Sequence, residues 1–168
     1  MTDLDFLKIT KETEIEFKNI AETLFNKFAI KTKYGIYRLM EIEFYWKSPT
    51  HNDESTYKRK YVNPKQGEWF FHYSGVDIAL RNDDINGYGG ILIRKIQNIE
   101  NKNDKYNGPM VCAMKLFSGV SAVSKDSFPI IVKYDFPKEE VSNVVRVNLG
   151  DNAKKGGYDK RKYRFKIS

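Results

Sequence analysis

The sequence predicts an α+β domain, with an N-terminal helix packed on a mainly antiparallel sheet. Two observations predict it. Residues 10–29, TKETEIEFKNIAETLFNKFA, place apolar side chains at near-helical spacing. The segments that follow are mostly short, alternate between apolar and polar or run apolar, and are bounded by Gly, Pro and Asn. The order of elements is helix, several strands, a short helix, then strands, which is not the βα alternation of a parallel sheet.

The helix reads from Ile15, Ile20, Leu24 and Phe28, reinforced by Phe17 and Ala21. Thr10 or Thr13 can cap it, and Glu16 stands three residues after Thr13, the spacing of a capping box. Lys27 and Lys31 suit its negative C-terminal end. Ile30–Arg38 then holds a turn around Tyr34 and Gly35.

Arg38–Tyr45, RLMEIEFY, is the strand around which the chain is organised. Alternation puts Met40, Ile42, Phe44 and Trp46 on one face. Glu41, Glu43 and Tyr45 share the other with Leu39, and His51 follows within one loop. By pattern alone this is a half-buried strand whose second face is wet. Residues 47–67 form a polar loop in which Lys47, Lys58, Arg59, Lys60 and Lys65 interleave with Tyr57 and Tyr61. That mixture suits a nucleic-acid backbone with stacked bases, or an ordinary exposed loop.

Glu68–Leu80 reads as a strand broken at Ser74-Gly75, with Trp69, Phe71 and Tyr73 on one face and Phe70 and His72 on the other. Tyr88–Ile96 is a strand opened by two glycines, a sign of close backbone approach or a bulge. Its GYGG is no phosphate loop, because it lacks the Lys-Ser/Thr ending and enters a strand. Gly108-Pro109 opens a short helix with proline in its first turn. Residues 130–136, 144–149 and 163–167 read as further strands. DNAKKGGYDKRK between the last two is a basic loop. Without an internal repeat or a second core, residues 1–168 are expected to form one domain.

The chain has 168 residues, a net charge of +7 and a pI near 9.3, which favours a polyanionic partner, nucleic acid before an anionic membrane surface. The single cysteine, Cys112, excludes an internal disulfide and a cysteine-based zinc site. A metal set of His51, Asp53, His72 and Asp77 matches no ligand spacing, so no metal and no cofactor are expected. MTDLDFLKIT has no basic stretch followed by an apolar one, so no signal peptide is expected, and no apolar run reaches a membrane-spanning length of about 18 residues. A monomer in the cytoplasm, nucleoid or nucleus is expected.

In order along the chain, these segments resemble the alkyladenine (3-methyladenine) DNA glycosylases, whose fold type is shared with the C-terminal domain of methionyl-tRNA formyltransferase. Leu39-Met40-Glu41-Ile42-Glu43-Phe44-Tyr45 is similar to the family's I-V-E-T-E-A-Y strand. Gly67–Gly75 is similar to its G-x-x-Y-V-Y-x-x-Y-G hairpin, and Ile91-Leu92-Ile93-Arg94-Lys95 to its V-L-L-R-A strand. Asn107-Gly108-Pro109 matches its N-G-P helix start, and Arg146–Leu149 with Arg164–Lys166 its ending. The chain departs from the pattern at the hairpin. The tyrosine that the family pushes into the duplex falls at Ser74, with Tyr73 adjacent, and the family asparagine falls near Arg81.

The resemblance implies a curved, mainly antiparallel sheet and a protein that binds nucleic acid, double-stranded DNA first. It implies that a purine or modified base is flipped and its N-glycosidic bond hydrolysed. A catalytically silent binding module of the same fold is the alternative. Glu43 takes the position of the catalytic carboxylate, which stabilises an oxocarbenium-like sugar and accepts a proton from the attacking water. Glu41 either raises the pKa of Glu43 by like-charge repulsion or is an exposed strand carboxylate paired with a lysine. Tyr45 and Phe71 match rings that sandwich the flipped base, although Phe71 also reads as core. His72 and His51 join the base pocket, His72 as a base-edge donor or a structural histidine. Tyr73, Arg81, Arg94, Lys95, Arg146, Lys160, Arg161 and Lys162 are the candidate nucleic-acid contacts.

Overall fold

The structure is a computed structural model, and it describes residues 4–60, 64–124 and 127–168. Of the loop that mixes basic and aromatic residues, Tyr61 and the side chains of Tyr57, Lys58 and Lys60 lie outside the described residues. The described residues form helix α1 (Glu14–Lys27), strands β1 (Phe28–Thr32) and β2 (Gly35–Lys47), then β3 (Trp69–His72), β4 (Gly75–Asn82) and β5 (Gly87–Asn98). After these come β6 (Lys105–Asn107), helix α2 (Pro109–Phe117), β7 (Ile130–Lys133), β8 (Ser142–Val144) and β9 (Arg164–Lys166). Two 3-10 segments, Glu54–Lys60 and Asp151–Lys160, matter for the site. The fold is α+β, as expected, with a curled antiparallel half-barrel sheet and helices packed on it.

Thr13 caps α1 by accepting from the Glu16 backbone N–H across 3.2 Å. The Glu16 carboxylate reaches back to the backbone N–H groups of Thr10, Lys11 and Glu12 rather than to that of Thr13. It therefore satisfies the donors just ahead of the helix. The buried stripe is Phe17, Ile20, Ala21, Leu24 and Phe25, while Ile15, expected in it, is 74% exposed. The chain leaves the helix at Phe28, where FAIKT becomes β1 and pairs with both β2 and β7. Its aromatic and β-branched residues fit a pleated surface better than a fraying helix end.

Along the sheet the order is β3-β4-β5-β2-β1-β7, with β6 on β5, and with β9 on the outer half of β2 and β8 beyond it. Strand β2 thus has neighbours along both edges: β5 on one, and β1 then β9 on the other. Trp69, Ile78, Ile91 and Phe44 form one cross-strand row. Phe17 of α1 stacks on Phe44 at 5.0 Å, and Phe117 of α2 meets Trp69 edge-on at 5.5 Å. The two helices therefore cover this same face. Full burial of Phe17 and Phe44 contributes about 1.5–3 kcal/mol for each ring.

The glycines that open β5 fit the expected close approach. A Cβ on Gly89 would sit 2.0 Å from the Tyr45 carbonyl oxygen, and one on Gly90 2.4 Å from Asp77 Oδ2. Residues 144–149, expected as a strand, pair only through Val144 and then cross the open face of the sheet. Among the described residues no helix is long and apolar enough to cross a membrane.

Candidate functional site

The face of β2 opposite the helices is not wet. Glu43 is 0% exposed, and Glu41 and Tyr45 are also buried. The cover comes from elsewhere in the chain. Arg94 reaches over from β5, Arg164 from β9, Arg146 and Val147 from the segment after β8, and Arg59 from the first 3-10 segment.

Glu43 Oε2 accepts from the Tyr45 hydroxyl at 2.9 Å and from Arg94 Nη1 at 3.2 Å, and Oε1 accepts from the Val147 backbone N–H at 3.3 Å. Burial raises its pKa above the ordinary carboxylate value, against the pull of Arg94, the Tyr45 hydroxyl, the Val147 N–H and Arg146. Repulsion by Glu41 is one of the two sequence readings of that residue; the cause of the rise is desolvation. Glu41 is neither exposed nor paired with a lysine. Its Oε1 accepts from Arg94 Nε at 3.1 Å and Arg164 Nε at 2.8 Å. One guanidinium, Arg94, thus bridges the two glutamates.

The guanidiniums of Arg59 and Arg146 lie 4.0 and 4.7 Å from the Tyr45 ring centroid, close enough for cation–π attraction. Burial and the neighbouring Glu43 push the Tyr45 phenol well above its usual pKa, so it stays a hydrogen-bond donor. Arg59 Nε pairs with Asp77 Oδ2 at 2.5 Å, and Asp77 Oδ1 lies 3.0 Å from His72 Nε2. The Ser74 backbone N–H donates to His72 Nδ1 at 3.3 Å, which leaves the ring proton on Nε2 for Asp77. Arg146 is buried as well. Its Nη1 lies 2.7 Å from Asp53 Oδ2 and donates to the Phe44 carbonyl, and its Nη2 donates to the Tyr158 carbonyl.

A cavity of about 170 Å³ opens beside Tyr45. Arg59, His72, Ser74 and Leu92 line it together with the chain at 148–150, Asn152 and Ala153. Pockets for drug-sized ligands run from about 300 to 1,000 Å³. This one suits a single small planar group with one aromatic wall, one guanidinium and several amide and hydroxyl groups.

The other expected site residues are scattered over the fold. Tyr73, 76% exposed, sits in the β3–β4 turn at the cavity rim. Phe71 is opposite Val76 in the ladder, while Asp77, Leu92 and Glu43 share a row on the other face. Phe71 therefore points away from Tyr45, is 53% exposed, and meets Phe117 at 4.6 Å. His51 packs edge-on against Phe17 on the helix side, its Nδ1 donating to the Trp46 carbonyl and its Nε2 2.9 Å from the Tyr163 hydroxyl. Arg81 pairs with Asp83 at the far end of β4, and Lys95 is half-buried beside β6. Lys160, Arg161 and Lys162 are exposed. Arg94 and Arg146, expected to meet phosphates, are instead consumed by carboxylates and carbonyls. Among the described residues no three His, Cys, Asp or Glu side chains converge as a metal site.

Comparison with known families finds no family model that matches the chain. An uncharacterized protein of Acanthamoeba polyphaga mimivirus is 28% identical over 125 residues, covering 60% of this chain and 55% of its own length. The chain thus spans about half the length of the curated relative it matches.

Three side chains central to this arrangement lay outside the expected site. Asp77 is a charged residue in the otherwise apolar strand GVDIAL, and that mismatch was its signal. Arg164 alternates with Tyr163 and Phe165 in a strand of buried aromatics. Arg59 belonged to the polar loop, where nothing distinguished it from its lysine neighbours.

Proposed function

We propose that this protein binds nucleic acid, takes one base into the cavity beside Tyr45, and hydrolyses its N-glycosidic bond with Glu43 as the acting carboxylate. The observation that carries the reading is the Tyr45–Glu43 hydrogen bond of 2.9 Å, which joins the cavity wall to a buried carboxylate of raised pKa. A base in the cavity would bring its sugar toward that carboxylate. Water attacks the anomeric carbon, the C–N bond breaks, and the base leaves with the bonding electrons. Glu43 accepts the water proton and offsets the positive charge of the sugar as it develops. The exposed cations Lys160, Arg161 and Lys162 follow the segment that walls the cavity and suit contacts to phosphate.

A second reading has its own observation. Glu43 is wholly buried and both of its oxygens are engaged, which favours a silent module that grips a base without releasing it. One experiment separates the two. Duplex oligonucleotides carrying alkylated, deaminated or oxidised purines are incubated with excess protein, and free base is measured beside binding. The hydrolase reading expects base release that falls at least ~100-fold in Glu43→Gln, with binding retained and a smaller loss in Glu41→Gln. Binding without release from any substrate establishes the silent module. Absence of both binding and release overturns the two readings together.

A further inference from the structure

Glu41 carries more than its strand position needs. Its Oε1 accepts from Arg94 Nε at 3.1 Å and from Arg164 Nε at 2.8 Å, so two arginines share one oxygen. Arg94 then reaches Glu43 by Nη1 alone, at 3.2 Å. An unconstrained arginine prefers to meet a carboxylate with two parallel N–H groups, because the fork and the carboxylate match in geometry. Glu43 is denied that fork although Arg94 stands beside it.

We propose that Glu41 is a positioning residue, which holds Arg94 by its Nε and so keeps the guanidinium from closing as a two-pronged pair on Glu43. Glu43 thereby keeps its basicity without losing its neighbouring cation. Arg164 sets the strength of that hold by competing with Arg94 for the same oxygen. Register makes the competition direct, since Arg164 lies opposite Glu43 on β9 while its side chain turns to Glu41. The inference rests on the reading of Glu43 as the acting carboxylate, yet its test needs no substrate.

Among the described residues the groups facing Glu43 are few. They are Tyr45 and Glu41 on β2, Arg94 on β5, Arg164 on β9, and Arg146 after β8; Arg59 and Asp77 lie beyond the Tyr45 ring. Of these, only Glu41 accepts from both Arg94 and Arg164.

The test is a pH titration of the side-chain carboxyl carbons by NMR in protein labelled at glutamate, with Glu43 assigned by its absence in Glu43→Gln. Glu41→Gln removes the charge and weakens the hold. Glu41→Asp keeps the charge but is one methylene too short to bridge. If Glu41 acts by position, the Glu43 midpoint falls by roughly one pH unit in both, the low end of what a contacting cation does to a carboxyl. Arg164→Gln frees Glu41 to draw Arg94 away, and the midpoint rises. If Glu41→Asp titrates as wild type while Glu41→Gln does not, charge alone acts and the proposal is overturned. An unmoved midpoint in every variant overturns it too. Should the Glu41 variants fail to fold, Arg164→Lys decides alone, because it keeps the charge and gives up the Nε contact to Glu41: a rise supports the proposal, and no change or a fall rejects it. Failure to release a base leaves these titrations intact, so the two ideas fail separately.

Discussion

Tyr45 donates its hydroxyl to Glu43 across 2.9 Å, from a ring that carries the guanidiniums of Arg59 and Arg146 near its face. The phenol thus belongs to two environments at once. Its ring walls the cavity, and its oxygen helps to hold a carboxylate that solvent does not reach.

Tyr45→Phe keeps the ring and removes that donor. Arg94 and the Val147 N–H remain on Glu43, so the carboxylate is weakened rather than stranded. Hydrogen bonds to charged groups contribute about 1.5–3 kcal/mol, and a loss in that range is expected. Urea unfolding reads it as a lower midpoint with an unchanged slope. A change under about 0.5 kcal/mol would mean that Arg94 and the Val147 N–H hold Glu43 in place without the phenol.

His51 gives a pH dependence whose direction is fixed by burial. Desolvation holds the imidazole below its ordinary value of 6.5, with the Trp46 carbonyl and Asp53 opposing. The unfolded chain therefore takes up a proton before the folded one does. Stability from the neutral ring is full above 6.5 and declines as the pH falls from 6.5 toward the folded-state value. Glu43, whose pKa is raised, contributes with the opposite sign above 4.5. Comparing wild type with His51→Gln between pH 5 and about 7.5 isolates the histidine, because glutamine offers the same donor and acceptor without titrating. The wild type should lose stability relative to the variant as the pH drops; parallel curves would refute a neutral, buried His51.

How much of this was legible follows from what each signal encodes. Thr13 and Glu16 announced the start of α1 because capping is local chemistry, and the buried stripe followed from spacing. Ile15 misled because it stands five residues before Ile20 and nine before Leu24, spacings that turn it to the opposite face of the helix. Alternation in RLMEIEFY separated the two faces of β2 correctly from Ile42 to Trp46. It could not say what covers the second face, because the cover comes from Arg146, Val147 and Arg164, about a hundred residues on. Arg146 and Val147 sit in a segment without strand pairing, and the alternation around Arg164 gives its face but not the carboxylate it meets. For the same reason Arg94 read as a phosphate contact: sequence gives the charge of a side chain, and only the fold supplies the carboxylate it meets.

Gly89 and Gly90 separate two kinds of close approach. A methyl on Gly89 meets the backbone oxygen of Tyr45 at 2.0 Å, within the β2–β5 ladder, where the paired backbone cannot step aside. A methyl on Gly90 meets the Asp77 carboxylate at 2.4 Å and Arg59 Nε at 3.0 Å, which are side-chain atoms. Gly89→Ala should cost about 3 kcal/mol or more, the upper range for overpacking. Gly90→Ala should fold with a smaller loss and a disturbed Arg59–Asp77 pair, visible as displaced NMR signals of the His72 ring that Asp77 contacts. Equal costs would place both contacts among movable atoms.

The arginines and lysines divide by burial, and that division makes the last prediction. Lys160, Arg161 and Lys162 are exposed, whereas the Arg146 side chain is buried against Asp53 and two backbone carbonyls. Replacing the three exposed residues with alanine should leave the unfolding midpoint nearly unchanged, since exposed charges contribute little to stability. It should weaken duplex DNA binding and flatten its salt dependence by up to about 2.7 in the slope of log K against log salt, at roughly 0.9 per phosphate released. Arg146→Ala behaves in the reverse way. It leaves Asp53 buried without its cation, a loss of about 3–5 kcal/mol, and any fall in binding then tracks unfolding. Fluorescence anisotropy at several salt concentrations, with unfolding curves on the same preparations, measures both. A wild-type salt slope near zero would mean that the +7 charge serves solubility and that these cations meet no phosphate.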